Sequence, residues 1–392
     1  VRAVRCARGE LAVVEAPDPN PDRGQLVLNV LRAGICGSDL HARRHADELA
    51  GVMDELDYHD TIRSDSPTVL GHEFCGEVVE RGAGVGKSFA EGTRVVSFPL
   101  VRSRGGTHPT GLSPLAPGAF ADKVLVEASL SFAVPDGLDS EIAALTEPMA
   151  VAHHAVRRSE IGRRDVAVVL GCGPVGLAVV CHLKARGVRT VVASDFSPGR
   201  RALATACGAD VVVDPAVDSP WHAADARGWR FSAPELLDYA VDTMDRLRKL
   251  PGWAYVNRAA QAIGLADQPH PIVFECVGVP GMLEGIIAAA PLATRVVVVG
   301  VCMSEDRLRP AMAVNKELDL RFVLGYTPLE FHDTLHLLAD GKVDASPLLT
   351  GTVGLAGVPS AFDALERADV HAKVLVDPSS EVETLSTSPR PV

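Results

Sequence analysis

The apolar run Asp165–Leu170 leads into Gly171-Cys172-Gly173-Pro174-Val175-Gly176, and this stretch constrains the fold more than any other. Ala178–Leu183 with Lys184 and Ala185 reads as a helix, and Val188–Ala193 is a second apolar, β-branched run, closed by Asp195. A turn this rich in glycine lets backbone N–H groups approach a pyrophosphate at a helix N-terminus, where the dipole favours anions. An acid about 20 positions further on is placed to bind a ribose 2′-hydroxyl. Strand, turn, helix, strand and acid in register predict a dinucleotide site built on Gly171, Gly173, Pro174, Val175, Gly176 and Asp195. Val166–Leu183 has the length of a membrane span and no charge, but its glycines and proline fit the strand–turn–helix reading.

The glycine-rich unit sits inside a longer alternation. From about Val151 to Gly300, strand candidates at Val166–Leu170, Val188–Ser194, Asp210–Val213, Ile272–Glu275 and Arg295–Gly300 alternate with helical segments. Such alternation predicts a doubly wound parallel sheet covered by helices on both faces. Residues 1–150 read instead as mostly β, with short strand candidates between Gly, Pro and Asp turns. A helix is expected near Asp47–Leu56. The expected division is 1–150, then 151–316, then a return of 317–392 to the first domain through a strand at Ala372–Val376. The tail from Ser379 is rich in Ser, Thr, Pro and Glu and is expected to be disordered.

The connection of about 215–270 is unusually long. Ser232 and Glu235 have capping-box spacing, and Leu237, Val241, Met244 and Leu247 follow at helical intervals. A second helix is expected through Tyr255–Ile263. An apolar stripe of this kind must be buried on the parent domain or on another subunit.

At 392 residues there is room for two domains, and a net charge of -12 argues against a nucleic-acid surface. No basic segment followed by an apolar one opens the chain, so cytoplasm is expected. The eight cysteines form no C-x-x-C pair and read as free thiols of a reducing compartment. Cys36 stands apart because of its surroundings.

Three segments carry candidate chemistry: Gly34-Ile35-Cys36-Gly37-Ser38-Asp39-Leu40-His41, Gly71-His72-Glu73-Phe74, and Thr146-Glu147-Pro148-Met149-Ala150. Together they offer a thiol, an imidazole and two carboxylates, a plausible zinc ligand set. Alone, each has a bland explanation as core residue, surface pair or helix cap.

In this order the motifs G-I-C-G-S-D-L-H, G-H-E-F-C-G-E-V, E-P-M-A-V-A and G-C-G-P-V-G-L resemble the zinc-dependent medium-chain alcohol and polyol dehydrogenases. The likeness runs through His371-Ala372-Lys373-Val374-Leu375-Val376. It implies an α/β protein in which a GroES-like, mostly-β catalytic domain adjoins a Rossmann domain. It also implies hydride transfer from a small-molecule alcohol or polyol to NAD, and a homo-oligomer. Cys36 and His72 match zinc ligands, with Glu73 or Glu147 supplying the remaining oxygen directly or through water. Ser38 matches the hydroxyl that receives the substrate proton and His41 the imidazole that passes it on. Asp195 and Arg200 match positions at the adenosine, Val277 and Val301 positions at the nicotinamide ribose and carboxamide, and Lys373 a position at the pyrophosphate. Arg200 and Arg201 leave a 2′-phosphate, and so NADP, open.

Phe98–Phe120 contains no cysteine, so the structural zinc common in relatives is not expected. The two competing readings are a zinc-free NADPH enone or quinone reductase of the same architecture, and a non-catalytic dinucleotide-binding protein with a structural or regulatory role.

Overall fold

The computed structural model describes residues 1–223, 229–262, 271–367 and 370–386. In chain order the first part comprises β1 (Arg2–Ala7), β2 (Glu10–Glu15), β3 (Gln25–Gly34), α1 (Gly37–Glu55), β4 (Thr68–Val69), β5 (Glu73–Arg81), β6 (Arg94–Ser97), β7 (Leu100–Ser103), β8 (Gly106–Pro109), β9 (Lys123–Glu127), β10 (Ser131–Ala133), α2 (Ser140–Ala143) and α3 (Thr146–Ser159). The second comprises β11 (Val166–Leu170), α4 (Pro174–Ala185), β12 (Thr190–Ser194), α5 (Pro198–Ala206), β13 (Val211–Val213), α6 (Pro220–Ala223), α7 (Ala233–Leu247), α8 (Trp253–Ala262), β14 (Pro271–Glu275), α9 (Met282–Ala289), β15 (Arg295–Val298), α10 (Pro310–Asn315) and β16 (Asp319–Phe322). Then follow α11 (Pro328–Ala339), β17 (Leu349–Val353), α12 (Val358–Glu366) and β18 (Lys373–Val376).

The Rossmann sheet has the order β13-β12-β11-β14-β15-β16, all parallel. The chain reverses direction across the sheet between β11 and β14, and ligands of such sheets bind at that switch point, beyond the carboxyl ends of the strands. Register makes the point specific. Leu170 lies opposite both Ser194 and Glu275, and Glu275 lies opposite Val298. Gly171, Asp195, Val277 and Val301 therefore leave the sheet along one edge.

The other large sheet runs β10-β6-β5-β3-β18-β17, with β9 also paired to β3. Strand β18 pairs with β3 near Gly34, so the end of the chain completes the sheet begun by its start. A continuous core joins the two sheets' surroundings: Cys75, Val96, Leu145 and Met149 pack in one cluster with Ala167, Val169, Phe274 and Phe331.

Several expectations need correction. The boundary at 316 cuts off β16, which belongs to the parallel sheet; its sequence, Asp319-Leu320-Arg321-Phe322, lacks the apolar run that marks the inner strands. The helix expected near Asp47–Leu56 starts ten residues earlier, because Cys36 and Asp39 form its cap. The tail is not loose from 379. Gly354 N–H donates to Val382 O at 2.8 Å, and Leu385 is buried in the catalytic-domain core. A buried leucine and hydrogen bonds to Gly354, Ser360 and His371 dock this Ser/Thr/Glu-rich stretch; residues 387–392 lie outside the described residues. The stretch without cysteine, Phe98–Phe120, holds the hairpin β7–β8. Helix α7 begins at the expected Ser232–Glu235 capping box, and Ile263 lies outside the described residues.

Leu385→Ala is expected to lower the unfolding free energy by about 2–4 kcal/mol in urea titration. A change below about 0.5 kcal/mol would mean that this segment is not docked.

Candidate active site

Strand register assembles the first half of the site. Strands β3 and β5 pair antiparallel with Gly34 opposite Glu73. Two residues past Gly34 is Cys36, the N-cap of α1; the residue before Glu73 is His72. One thiol, one imidazole and one carboxylate thus arrive together, their ligand atoms all within 4.8 Å of one another. Gly34 is required here, since a Cβ would overlap the Glu73 carboxylate.

Asp39, which sequence reasoning left without a role, ties the loops together. Its Oδ2 accepts the Cys36 N–H at 2.9 Å, its Oδ1 accepts the Gly71 N–H at 3.3 Å, and Oδ1 lies 3.4 Å from His72 Nδ1. The signal was present as an acid at the third position of a helix. Ser38 Oγ is 3.1 Å from His72 Nε2. Burial would lower the His72 imidazolium, but Asp39 and Cys36 beside it prevail and hold it well above the usual histidine value. Electron-rich and anionic groups crowd this spot, where Cys36 is half-buried and His72 and Glu73 are buried. A divalent cation suits that donor set, and S, N and O ligands together are those of zinc.

Glu147, from the first turn of α3, lies outside the three-residue group but close enough to feel the charges of His72 and Glu73. Burial pushes its carboxyl up to about 7, opposed by His72 and reinforced by Glu73. The Tyr326 hydroxyl donates to its Oε1 at 2.8 Å. Tyr326 was not foreseen, because only the tertiary fold brings it to α3.

Lys373 corrects an expectation. It was matched to a pyrophosphate position, yet it is fully buried, with Nζ 2.7 Å from both Glu73 oxygens and 3.0 Å from Ile35 O. An ammonium enclosed this way has no face left for a cofactor. Burial lowers its pKa, but Glu73 outweighs that and raises it, so the charge persists. His41 lies on the same helix as Ser38, its ring 6.1 Å from that of His45, and no hydrogen bond joins it to Ser38 among the described residues.

At the sheet edge, Gly171 has φ 88 and Gly173 caps α4 without a side chain. Pro174 occupies the first turn of α4 and brings no N–H of its own to that end. A Cβ on Gly176 would overlap the Gly171 carbonyl, which explains the third glycine. Arg200 Nη1 lies 3.9 Å from where a Cβ on Gly173 would stand, and its buried Nε lacks a partner. Asp195 accepts the Cys172 and Ser197 N–H groups, each at 2.8 Å. Arg201 is committed elsewhere, to Asp195 O, Phe196 O and Asp214. Val277 and Val301 are 39% and 57% exposed at the same edge, and Val301 lines a cavity of about 340 Å³ with Glu275, Gly278 and Phe322. Buried Glu275, another residue not foreseen, fixes that turn by accepting the Val277 and Gly278 N–H groups at 2.7 and 2.8 Å. A helix N-terminus without a side-chain cap and an unpartnered guanidinium nitrogen suit a dinucleotide pyrophosphate.

The architecture and these two half-sites define a two-domain dehydrogenase, and comparison with known proteins agrees. Residues 22–136 match the alcohol dehydrogenase GroES-like domain family, and residues 174–340 match the zinc-binding dehydrogenase family. The chain is 31% identical over 381 residues to (R,R)-butanediol dehydrogenase of Bacillus subtilis (strain 168), covering 94% of this chain and 97% of that one. It is 28% identical over 384 residues to sorbitol dehydrogenase of Halalkalibacterium halodurans, covering 94% and 96%. A solved chain from Sinorhizobium meliloti 1021, bound to NADP, superposes with a TM-score of 0.72 at 26% identity, covering 96% of this chain and 99% of that chain. The chain belongs to the zinc-binding alcohol dehydrogenase family of medium-chain dehydrogenases. It is an oxidoreductase that interconverts an alcohol or polyol and its carbonyl product.

Replacing Lys373 by Met would leave the Glu73 carboxylate buried without its counter-charge. Lys373→Met is expected to cost about 3–5 kcal/mol of unfolding free energy in urea titration of metal-free protein. A loss below about 1 kcal/mol would show that the pair is not structural.

Proposed function

We propose that the chain is an NAD-dependent alcohol or polyol dehydrogenase with one catalytic zinc ion. The observation that carries this reading is the convergence of Cys36, His72 and Glu73 on one buried point. These three side chains would hold the metal. Glu147, kept in place by Tyr326, adds its oxygen directly or through water. Bound there, zinc would supply a Lewis acid that eases loss of the substrate hydroxyl proton, and NAD the hydride acceptor.

The chain's own groups then handle the proton. Ser38 Oγ, next to the His72 ring, receives it. His41, three residues on along α1 and so on the same side of the helix, passes it toward water. Desolvation and then His45 lower the His41 pKa, so the ring is neutral at pH 7 and able to accept a proton.

The cofactor preference rests on Asp195. Two backbone N–H groups fix its carboxylate, whose remaining lone pairs suit ribose hydroxyls and repel a 2′-phosphate. Arg201, tied to its own loop, offers no compensating charge. Arg200 serves the adenosine half, and Val277 and Val301 the nicotinamide half. Glu73 and Glu147 beside a thiol and an imidazole oppose the zinc-free reductase reading, and the intact Ser38 and His41 oppose a non-catalytic role. The eight free cysteines support a cytoplasmic location. A homo-oligomer is favoured by β16, an edge strand ending in Phe322 and followed by Leu324, which are 64% and 87% exposed.

Cys36→Ala is expected to abolish zinc retention, read by atomic absorption, and to lower alcohol oxidation by at least about 100-fold while NADH titration still shows binding. Full activity in metal-depleted Cys36→Ala protein would end the zinc assignment. In a separate assay, Asp195→Ala is expected to reduce the NAD-over-NADP ratio of kcat/KM by roughly tenfold or more. An unchanged ratio would remove Asp195 from cofactor selection.

A further inference from the structure

The connection between β13 and β14 is packed at its root and bare beyond it. Trp221 and Trp229 are buried in the core with Val192, Val213 and Val273. No residue of α7 is buried. Leu237 and Val241 are 65% and 62% exposed, and Tyr255 of α8 is 77% exposed. Leu237, Ala240, Val241, Met244 and Leu247 recur at helical spacing and share one face of α7. The capping box at Ser232 and Glu235 starts the helix without help from any neighbour, so the apolar face is formed but left in water. An apolar face rimmed by charge marks a contact surface.

The order of charges along α7 selects the partner. Glu235, Asp238, Asp242 and Asp245 come first; Arg246, Arg248 and Lys249 come last. All seven are exposed, and from Asp238 to Lys249 none is ion-paired within the chain among the described residues. Acid first and base last is complementary to the same helix reversed. An antiparallel copy sets Asp238 and Asp242 against Arg246, Arg248 and Lys249, as flanking charges do in helix pairs. A parallel copy would set like against like. The reversed arrangement is the one a two-fold axis imposes on a contact of a surface with itself. The four acids along the helix disfavour an anionic lipid surface.

We propose that α7 and α8 form an arm that pairs, antiparallel, with the same arm of a second copy of this chain. This contact is separate from the β16 edge and does not depend on the cofactor or metal assignments.

Sedimentation at micromolar concentration tests it. Leu237→Ser/Val241→Ser/Met244→Ser removes no buried side chain, so circular dichroism should match the unmodified protein while the assembled mass falls by half. Two charge-reversed chains give the second readout: Arg246→Glu/Arg248→Glu/Lys249→Glu, and Asp238→Lys/Asp242→Lys/Asp245→Lys. Each alone should sediment at half the unmodified mass, and an equal mixture should regain it. Because the readout follows arm residues alone, loss of a β16 contact would leave it intact. An unmodified protein that is monomeric, a serine variant of unchanged mass, or reversed chains that pair no better mixed than alone each overturn the proposal.

Discussion

The pairing of Lys373 with Glu73 holds the site's architecture together. The two residues are 300 positions apart in sequence and fully buried, and their contact exists only because β18 returns to lie beside β3. Its effect reaches beyond the pair. Glu73 is held against Gly34, Gly34 sets the start of the loop to Cys36, and Lys373 also binds the Ile35 carbonyl within that loop. Taking two charges out of water is costly, and only close geometry with further hydrogen bonds offsets that cost. Here the geometry is close: the ammonium lies 2.7 Å from both Glu73 oxygens and 3.0 Å from Ile35 O.

A second constraint is the level at which the parallel strands end. Because Leu170, Ser194, Glu275 and Val298 stand in register, four separate stretches of chain emerge at one edge. Gly171 and Gly176 let the first of these turn tightly, Asp195 closes the second, and Glu275 pins the third by accepting two amides. Arg200 stands beside the uncapped start of α4, next to Gly173. The thiol–imidazole–carboxylate cluster and the glycine-turn edge are thus produced by different devices, a buried ion pair in one and strand register in the other. The shared core containing Cys75, Leu145, Val169 and Phe331 holds them in one molecule.

The arm of α7 and α8 follows neither device. Its root is anchored by two tryptophans, while its helices keep an apolar face exposed and its charges separated by sign along the axis. Helix capping and periodicity were enough to form it, but nothing within the described chain was provided to cover it.

Sequence alone determined what depends on local chemistry. The glycine turn needs conformations that other residues resist, the inner strands of the parallel sheet follow from their apolar runs, and the Ser232–Glu235 cap starts α7 where the spacing required. Cys36, His72 and Glu73, proposed from contiguous motifs, come within 4.8 Å of one another, and Asp195 follows β12 at the end of the parallel sheet. Tertiary structure decided what depends on distant partners. Lys373 went to Glu73 and not to the cofactor, Tyr326 reached Glu147, Leu385 docked a polar tail, and β16 joined the parallel sheet despite its polar sequence. The difference has one physical cause: a local motif carries its own geometry, whereas a charge or apolar side chain goes to whichever partner folding brings closest.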